Sequence, residues 1–334
     1  MSTASKSPRK VAAVALEVGR RSLPRYSHRY SRRDYTLAQL FALLVLRQLF
    51  KTDYRGITAY LHDWPTLQQD LGLKKVPHFT TLQKAERRLF AAARVQRLLS
   101  HTVGLYHGDE ADEQPAAHHI DQAAADGTGF ETHQASRYFV RRRSRDPSNA
   151  WQTTRYRDFA KLIIAVDCAS HLILATHRGK GPRPDVDQLD DLLAGWCSNV
   201  VLDQLLADAG FDSAHNHQTL RDMGIESIIP AAIGRPTENL PTDPWRWLMA
   251  TDFDEESYGQ RWQSETVMFM LKQHQGEALS ARKYHTRRRE MALRCITHNV
   301  MIVYVWAAFL QGISDPVVWR HRSCPCNPPQ NLTH

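Results

Sequence analysis

Apolar residues recur at three- and four-residue intervals through the first third of the chain. Leu37, Leu40, Phe41, Leu44, Val45, Leu49 and Phe50 predict one helix. Gly56 is expected to end it, and Ile57, Tyr60 and Leu61 to begin a second. Pro65 and Gly72 punctuate the next turn, and Thr80 or Thr81 is placed to cap a last helix carrying Leu82, Ala85, Leu89 and Phe90. The pattern then changes to short aliphatic runs. His119 to Ala125 reads as a strand, and Ala160 to Val166 and His171 to Thr176 as a hairpin turning on Asp167-Cys168-Ala169-Ser170. Val186 to Leu193 reads as a helix, Gln204 to Ala207 as a strand, and His215 to Met223 as a helix capped by Ser213. Ile225 to Ile229 is a further strand, Pro230 to Pro244 a polar surface connection, and Arg287 to about Leu310 a long helix. Helices alone, then strands mixed with helices, predict an all-helical N-terminal domain followed by an α/β domain.

One stretch departs from the usual two-faced helix. From Tyr258 to Lys272 the charged residues are Arg261, Glu265 and Lys272. With 3.6 residues per turn, Tyr258, Arg261, Glu265 and Lys272 fall at about 0°, 300°, 340° and 320°, a stripe roughly 60° wide. Trp262, Val267, Met268, Phe269, Met270 and Leu271 cover most of the rest, which predicts a buried helix. A charged stripe on such a helix needs a partner or a site. An Arg261–Glu265 pair at i, i+4 sealing a core helix explains the same residues, and this segment alone does not choose.

Charge narrows the partners. The 334 residues are 42% hydrophobic, enough for a substantial core, and carry a formal net charge of +8. That excess favours a polyanion or an anionic membrane surface. No apolar run approaches the roughly 18 residues of a membrane span; the longest, Val300 to Leu310, reads as a core helix. The N-terminal residues lack the apolar segment of a secretory signal. Five scattered cysteines fit a reducing compartment. Cys324-Pro325-Cys326 beside His321 is spaced too closely for the usual zinc-finger pairs. Residues 1–33 hold nine Lys or Arg against Glu17, a basic arm suited to phosphates or to no fixed structure, with a short helix over Val11 to Leu16. Lys84, Arg87 and Arg88 are either DNA contacts on a helix-turn-helix or an ordinary solvated face. Seven arginines between Arg137 and Arg157 form a basic loop with Asp146 as its one acid through Arg157. The acidic stretch 107–118 reads as a linker.

The pattern Tyr258-x2-Arg261-x3-Glu265-x6-Lys272 resembles the signature that carries the last acid of the DDE-type insertion-sequence transposases of bacteria. Asp126-Gly127-Thr128-Gly129 resembles the first motif of that family, where Ser usually stands at Gly127. Asp208-Ala209-Gly210-Phe211-Asp212 resembles the second, where Tyr is commoner at Phe211. VPHFTTL at 76–82 is similar to the N-terminal domain of the group. The resemblance covers about residues 35 to 310. It implies a ribonuclease H-like mixed sheet flanked by helices, with Asp126 on the first strand, Asp208 after the fourth and Glu265 on a helix against the sheet. It divides the chain into a basic arm (1–34), a helical DNA-binding domain (35–110), a catalytic domain (115–312) and a tail (313–334).

The same resemblance implies the chemistry. Three clustered carboxylates repel one another, and divalent cations relieve that repulsion. Oxygen-only ligation by Asp126, Asp208 and Glu265 suits two Mg²⁺ or Mn²⁺ ions, which serve in-line displacement at phosphorus. Tyr258, Arg261 and Lys272 are then phosphate or substrate contacts. The implied partners are double-stranded DNA, as terminal inverted repeats and target, and a second copy of the chain, in the bacterial cytoplasm at the nucleoid. Taken singly, Asp126 or Asp208 is as well explained as a turn or cap residue, and Asp121, Asp167 and Asp212 are nearby acids that compete with them. A metal-dependent nuclease or resolvase that does not join strands, and a DNA-binding descendant that no longer cuts, remain alternatives.

Overall fold

The computed structural model describes residues 4–109, 116–132, 159–181, 183–232 and 240–310, the last seven by their backbone alone. The basic loop expected around Arg137 to Arg157, the Cys324–Cys326 pair with His321, and the tail 313–334 lie outside those residues.

Six helices come first: α1 (Pro8–Ser22), α2 (Leu37–Leu49), α3 (Tyr54–Asp63), α4 (Pro65–Asp70), α5 (Phe79–Leu89) and α6 (Ala92–His107). Thr36 and Gln39 close a reciprocal capping box at the start of α2. Gly56 does not break a helix as expected. It sits in the first turn of α3, where the Asp53 carboxylate accepts its backbone N–H at 2.6 Å. A Cβ there would lie 2.0 Å from Thr52 Oγ1. The cap of α5 is His78, ahead of Thr80 and Thr81: its ring accepts from the Thr80 N–H. Lys84, Arg87 and Arg88 are exposed along α5. Beneath them Arg47 pairs with Glu86 at 3.0 Å and the Tyr54 hydroxyl donates to Glu86 at 2.7 Å, joining α2, α3 and α5 through a buried polar link.

The sheet follows: β1 (His118–Thr132), β2 (Phe159–Asp167), β3 (Ile173–Gly181), β4 (Val200–Ala207), β5 (Glu226–Ile228) and β6 (Ala278–Leu279). Helices α7 (Leu189–Leu193), α8 (Ala214–Asp222), α9 (Pro244–Thr251), α10 (Glu255–Tyr258), α11 (Trp262–Gln275) and α12 (Tyr284–Leu310) surround it. Among the described residues the strand order is β3-β2-β1-β4-β5, with β6 added to the far end of β1. β2 is antiparallel to both β1 and β3, and β4 and β5 run parallel to β1. This mixed sheet flanked by helices, behind a helical N-terminal region, is consistent with the ribonuclease H-like α/β fold.

Alternation along the strands divides the interior in two. Ala123, Ala125, Ile163, Ala165, Leu205 and Ala207 join a core that continues through α1, α2, α6 and α12. Ala124, Leu162, Ile164, Leu206 and Ile228 face the other way, under Val267, Met268 and Leu271 of α11. Four of the nine basic residues of the N-terminus, Arg9, Lys10, Arg20 and Arg21, therefore ride on a packed helix: Val11, Val14, Ala15 and Val18 of α1 are buried, and α1 packs on α2, α6 and α12.

Candidate active site

The site is built where β1 and β4 leave their shared ladder. The last parallel pair is Ala125 with Ala207, so Asp126, still on β1, and Asp208, the first residue past β4, follow it directly. Neighbouring strands stand about 4.8 Å apart, which puts the two aspartates side by side. β1 runs seven residues past the end expected for it, through Gly127-Thr128-Gly129 to Thr132. Glycines weaken a lone strand, but β2 supplies the ladder: Gly127 pairs with Ile163 and Gly129 with Lys161. Gly127 is also needed for space. A Cβ there would come within 2.7 Å of Asp185 Oδ1. Asp185, which pairs with Lys161 at 2.8 Å, lies on the sheet face opposite Asp126. No local sequence signal marks it.

After Asp208 the chain makes a 3-10 turn, Ala209–Phe211, and the Asp208 carboxylate accepts the Gly210 N–H at 2.9 Å. Phe211 is fully buried. The turn is anchored by Asp212, whose side chain is closed off from solvent. Arg246 of α9 reaches it at 2.8 Å, the Ala232 N–H donates to it at 2.7 Å, and His217 Nε2 of α8 lies 3.3 Å away. His217 Nδ1 meets Ser227 Oγ at 2.7 Å. Serine, histidine and aspartate thus line up, but Ser227 and His217 are fully buried, so the row is structural. Burial alone pushes the Asp212 carboxyl up; the close His217 ring and the hydrogen bonds from Arg246 and Ala232 outweigh it and hold the pKa at about 2. Asp212 therefore fixes the turn that presents Asp208.

The predicted helix from Tyr258 is reached in three steps: α10, a 3-10 turn over Gly259–Arg261, and α11. That turn packs against both β1 and β4, and α11 against β1 and β2. The expectation of a helix buried nearly all round is corrected, because Trp262 is 53% and Phe269 63% exposed. On the helical wheel they fall at about 40° and 20°, beside the charged stripe and not opposite it. Ser264, Val267, Met268, Leu271 and Gln275 form the buried face.

Arg261 pairs with Glu265 at 2.5 Å, and the Glu265 side chain is 57% exposed. Arg261 also stands 5.9 Å from the Tyr258 ring, which packs edge-on to Phe253. Lys272 Nζ donates to Thr128 Oγ1 at 2.8 Å, two residues beyond Asp126. The i, i+4 pair expected on local grounds is present, yet it sits at the open mouth of the site.

Electrostatics distinguishes Asp126. Burial raises its carboxyl most; the Gly127 N–H, accepted at 2.7 Å, lowers it, Asp208 raises it, Arg261 lowers it and Glu265 raises it, leaving a pKa of about 6. Asp126, Asp208, Glu265 and Arg261 are thus within one another's fields. An oxygen-only donor set with uncompensated negative charge fits a hard divalent cation. The three carboxylates do not all approach within 4.8 Å. Among the described residues the one set of that closeness is His119, Asp121 and Asp203. Those three are exposed at the start of β1 and β4, roughly 20 Å along the strands from Asp126. Nothing beyond their proximity marks them as an ion site.

Residues 118–300 match a family model described as a transposase DDE domain. No curated protein matches the chain.

Proposed function

The chain belongs to the transposase DDE domain family, and from that membership we propose that it binds the ends of its own insertion sequence, cuts them and joins them to target DNA. The family is one of DNA-cleaving enzymes that typically use a divalent metal. The observation that carries it is the pairing register: Asp126 and Asp208 directly follow the last paired residues of parallel β1 and β4, and the turn leading to Glu265 packs against both strands.

In this reading Asp126, Asp208 and Glu265 hold two Mg²⁺ or Mn²⁺ ions. When bound, the ions lower the pKa of an attacking water or 3′-hydroxyl and stabilise the leaving oxygen at phosphorus. The remaining work falls to the protein. The Asp212 network keeps the Asp208 turn rigid. Arg261 orients Glu265 and adds positive charge where a phosphate approaches. Lys272, tied to Thr128, places an ammonium beside the first motif, and Tyr258 borders the site with its ring. Attack by water at one phosphodiester frees a 3′-hydroxyl, and attack by that hydroxyl on target DNA exchanges one phosphodiester for another, with no covalent enzyme intermediate. Residues 35–110, with Lys84, Arg87 and Arg88 exposed on α5, are assigned to the terminal repeats, the arm 1–34 to the flanking backbone, and residues 115–312 to catalysis. Two copies act on paired ends, in the cytoplasm at the nucleoid. Among the described residues no helix is long and apolar enough to cross a membrane.

The test is cleavage of a DNA duplex bearing the element's ends, with Mg²⁺, by the parent chain and by Asp126→Asn, Asp208→Asn and Glu265→Gln. Each variant is expected to lose nearly all cutting, at least about 10³-fold, while binding the duplex at close to parental affinity. Normal Mg²⁺-dependent cleavage by Glu265→Gln would sink the assignment. A strand-transfer assay separates transposition from cutting alone.

A further inference from the structure

A second charged concavity lies at the sheet edge, away from the three acids. Its volume is about 410 Å³, and it is lined by His177, Arg178, Lys180 and Arg183 from β3 and the turn after it, and by Tyr284 and Arg288 from the first turns of α12. Four of these are Lys or Arg, and no Asp or Glu is among the lining residues. Gly179 and Gly181 leave part of its floor without side chains.

Arg178 sets this cleft apart from an ordinary basic surface. It is only 8% exposed. Its Nε has no hydrogen-bond partner, and among the described residues no carboxylate pairs with it. A guanidinium so deeply buried without a counter-ion is costly, and natural proteins pair or solvate such groups. Burial lowers its pKa, with Cys295 opposing that fall and Arg288 adding to it. The surrounding groups are held in place. Tyr284 has Lys180 Nζ 4.8 Å and the Arg288 guanidinium 5.8 Å from its ring. Lys161 Nζ fixes the Arg183 carbonyl at 2.6 Å, and Arg183 itself pairs with Asp191 at 3.0 Å. Asp191 thus offsets the rim charge at Arg183, and Arg178 is left facing the cleft.

We propose that this cleft is an anion site that takes a phosphodiester of a nucleic-acid backbone a few nucleotides from the cut. The cleft straddles the β3 edge, and register places Arg178 and Lys180 on the same sheet face as the acids while His177 faces the other way. Thr128 is level with Leu162, and Leu162 with Arg178, about 10 Å across two strand spacings. Thr128 carries Lys272, so positive charge runs from Lys272 to Arg178 and Arg288 across one face. A planar guanidinium with free donors suits two phosphate oxygens at once. The anion chemistry stands on the cleft alone; its source in DNA rests on the transposase reading.

The experiment uses the full chain without divalent metal, so binding is measured apart from cutting. Fluorescence anisotropy with a labelled duplex is followed from about 50 to about 200 mM salt. Arg178→Met and Arg288→Ala should each weaken binding about tenfold at low salt and reduce the slope of log K against log salt by about one. Arg282→Ala, exposed on the same segment but outside the cleft, should change affinity less than about twofold. Inorganic phosphate should raise the melting temperature of the parent and not of Arg178→Met. The proposal is overturned by unchanged affinity and slope in both cleft variants, by an equal loss in Arg282→Ala, or by a phosphate shift that survives in Arg178→Met. Arg288 is exposed, so its variant keeps the test open if Arg178→Met fails to fold. A chain that binds through the cleft but never cuts overturns the cleavage reading and leaves the cleft standing.

Discussion

Asp126 stands beside Asp208, and Asp212 closes the turn that follows Asp208, yet their surroundings push the two acids apart. Asp212 receives an arginine, a histidine and a backbone N–H, and its pKa rests at about 2. Asp126 receives one N–H, faces two more acids and has Arg261, itself paired with Glu265, as its nearby cation, and its pKa rises to about 6. Both carboxylates are largely withdrawn from water, so burial is not what separates them. Partners do: one side chain has its counter-charge built in, and the other is short of one. A buried acid with its cation supplied by the chain is part of the scaffold. A buried acid lacking one costs stability until something positive arrives.

Substitutions at the two positions should therefore move stability in opposite directions. The largest effect is expected at Asp212. Asp212→Ala strands His217 and the Ala232 N–H and leaves Arg246 unpaired, and should cost about 3 kcal/mol in chemical denaturation at pH 7. A loss below about 1 kcal/mol would mean that the network does not hold the turn. The same pair has a pH signature. The Asp212 pKa is depressed in the fold, so its stabilisation is complete above the ordinary carboxylate value near 3.8 and disappears as pH falls toward about 2. Replacing Asp212 should flatten that acid limb.

The next effect has the reverse sign. The Asp126 pKa is raised, so its protonated form is the one the fold favours, and stability falls as pH rises through about 4 to 6. Asp126→Asn should gain roughly 2–3 kcal/mol at pH 8 and almost nothing near pH 3.5, measured without divalent metal. Millimolar Mg²⁺ should stabilise the parent more than the variant. If Asp126→Asn is less stable than the parent at pH 8, the contrast between the two acids fails.

The smallest effect is expected at Lys272. Its link to Thr128 is one hydrogen bond from a half-buried ammonium, and Lys272→Ala should cost about 1 kcal/mol. Single-turnover cleavage and DNA engagement should fall by far more than that loss explains. A melting temperature lowered by many degrees with unchanged cleavage per folded molecule would assign Lys272 to the scaffold.

Sequence and structure met unevenly around these residues. Asp126, Asp208 and Glu265 stood out because each sits in a short local motif, and local motifs survive in a linear reading. The hairpin on Asp167–Ser170 was legible for the same reason: aliphatic runs flank a turn in which the Asp167 carboxylate accepts the Ala169 and Ser170 N–H groups. Asp212 read as a competing acid because its partners, His217, Ala232 and Arg246, come from three later segments. The exposure of Trp262 and Phe269 is not legible in hydrophobicity summed around the helix; it follows from their wheel positions at about 40° and 20°, beside the charged stripe. Arg178 carried no signal at all. An arginine in a strand is unremarkable until the neighbouring chain is seen to bury it without an acid.

The packing of α1 also bears on the protein while it is being made. Its buried face closes against α12, and the Ser5 N–H donates to the Met301 carbonyl at 2.8 Å. α1 is made well before α12, so the part of its apolar face that α12 covers stays open until α12 is made. A nascent chain halted before residue 284 carries an apolar helix with part of its partner surface missing, a target for chaperones and proteases. The helix that carries Arg9 and Lys10 and the helix that carries Glu265 both pack on α12, so both settle only once α12 is made.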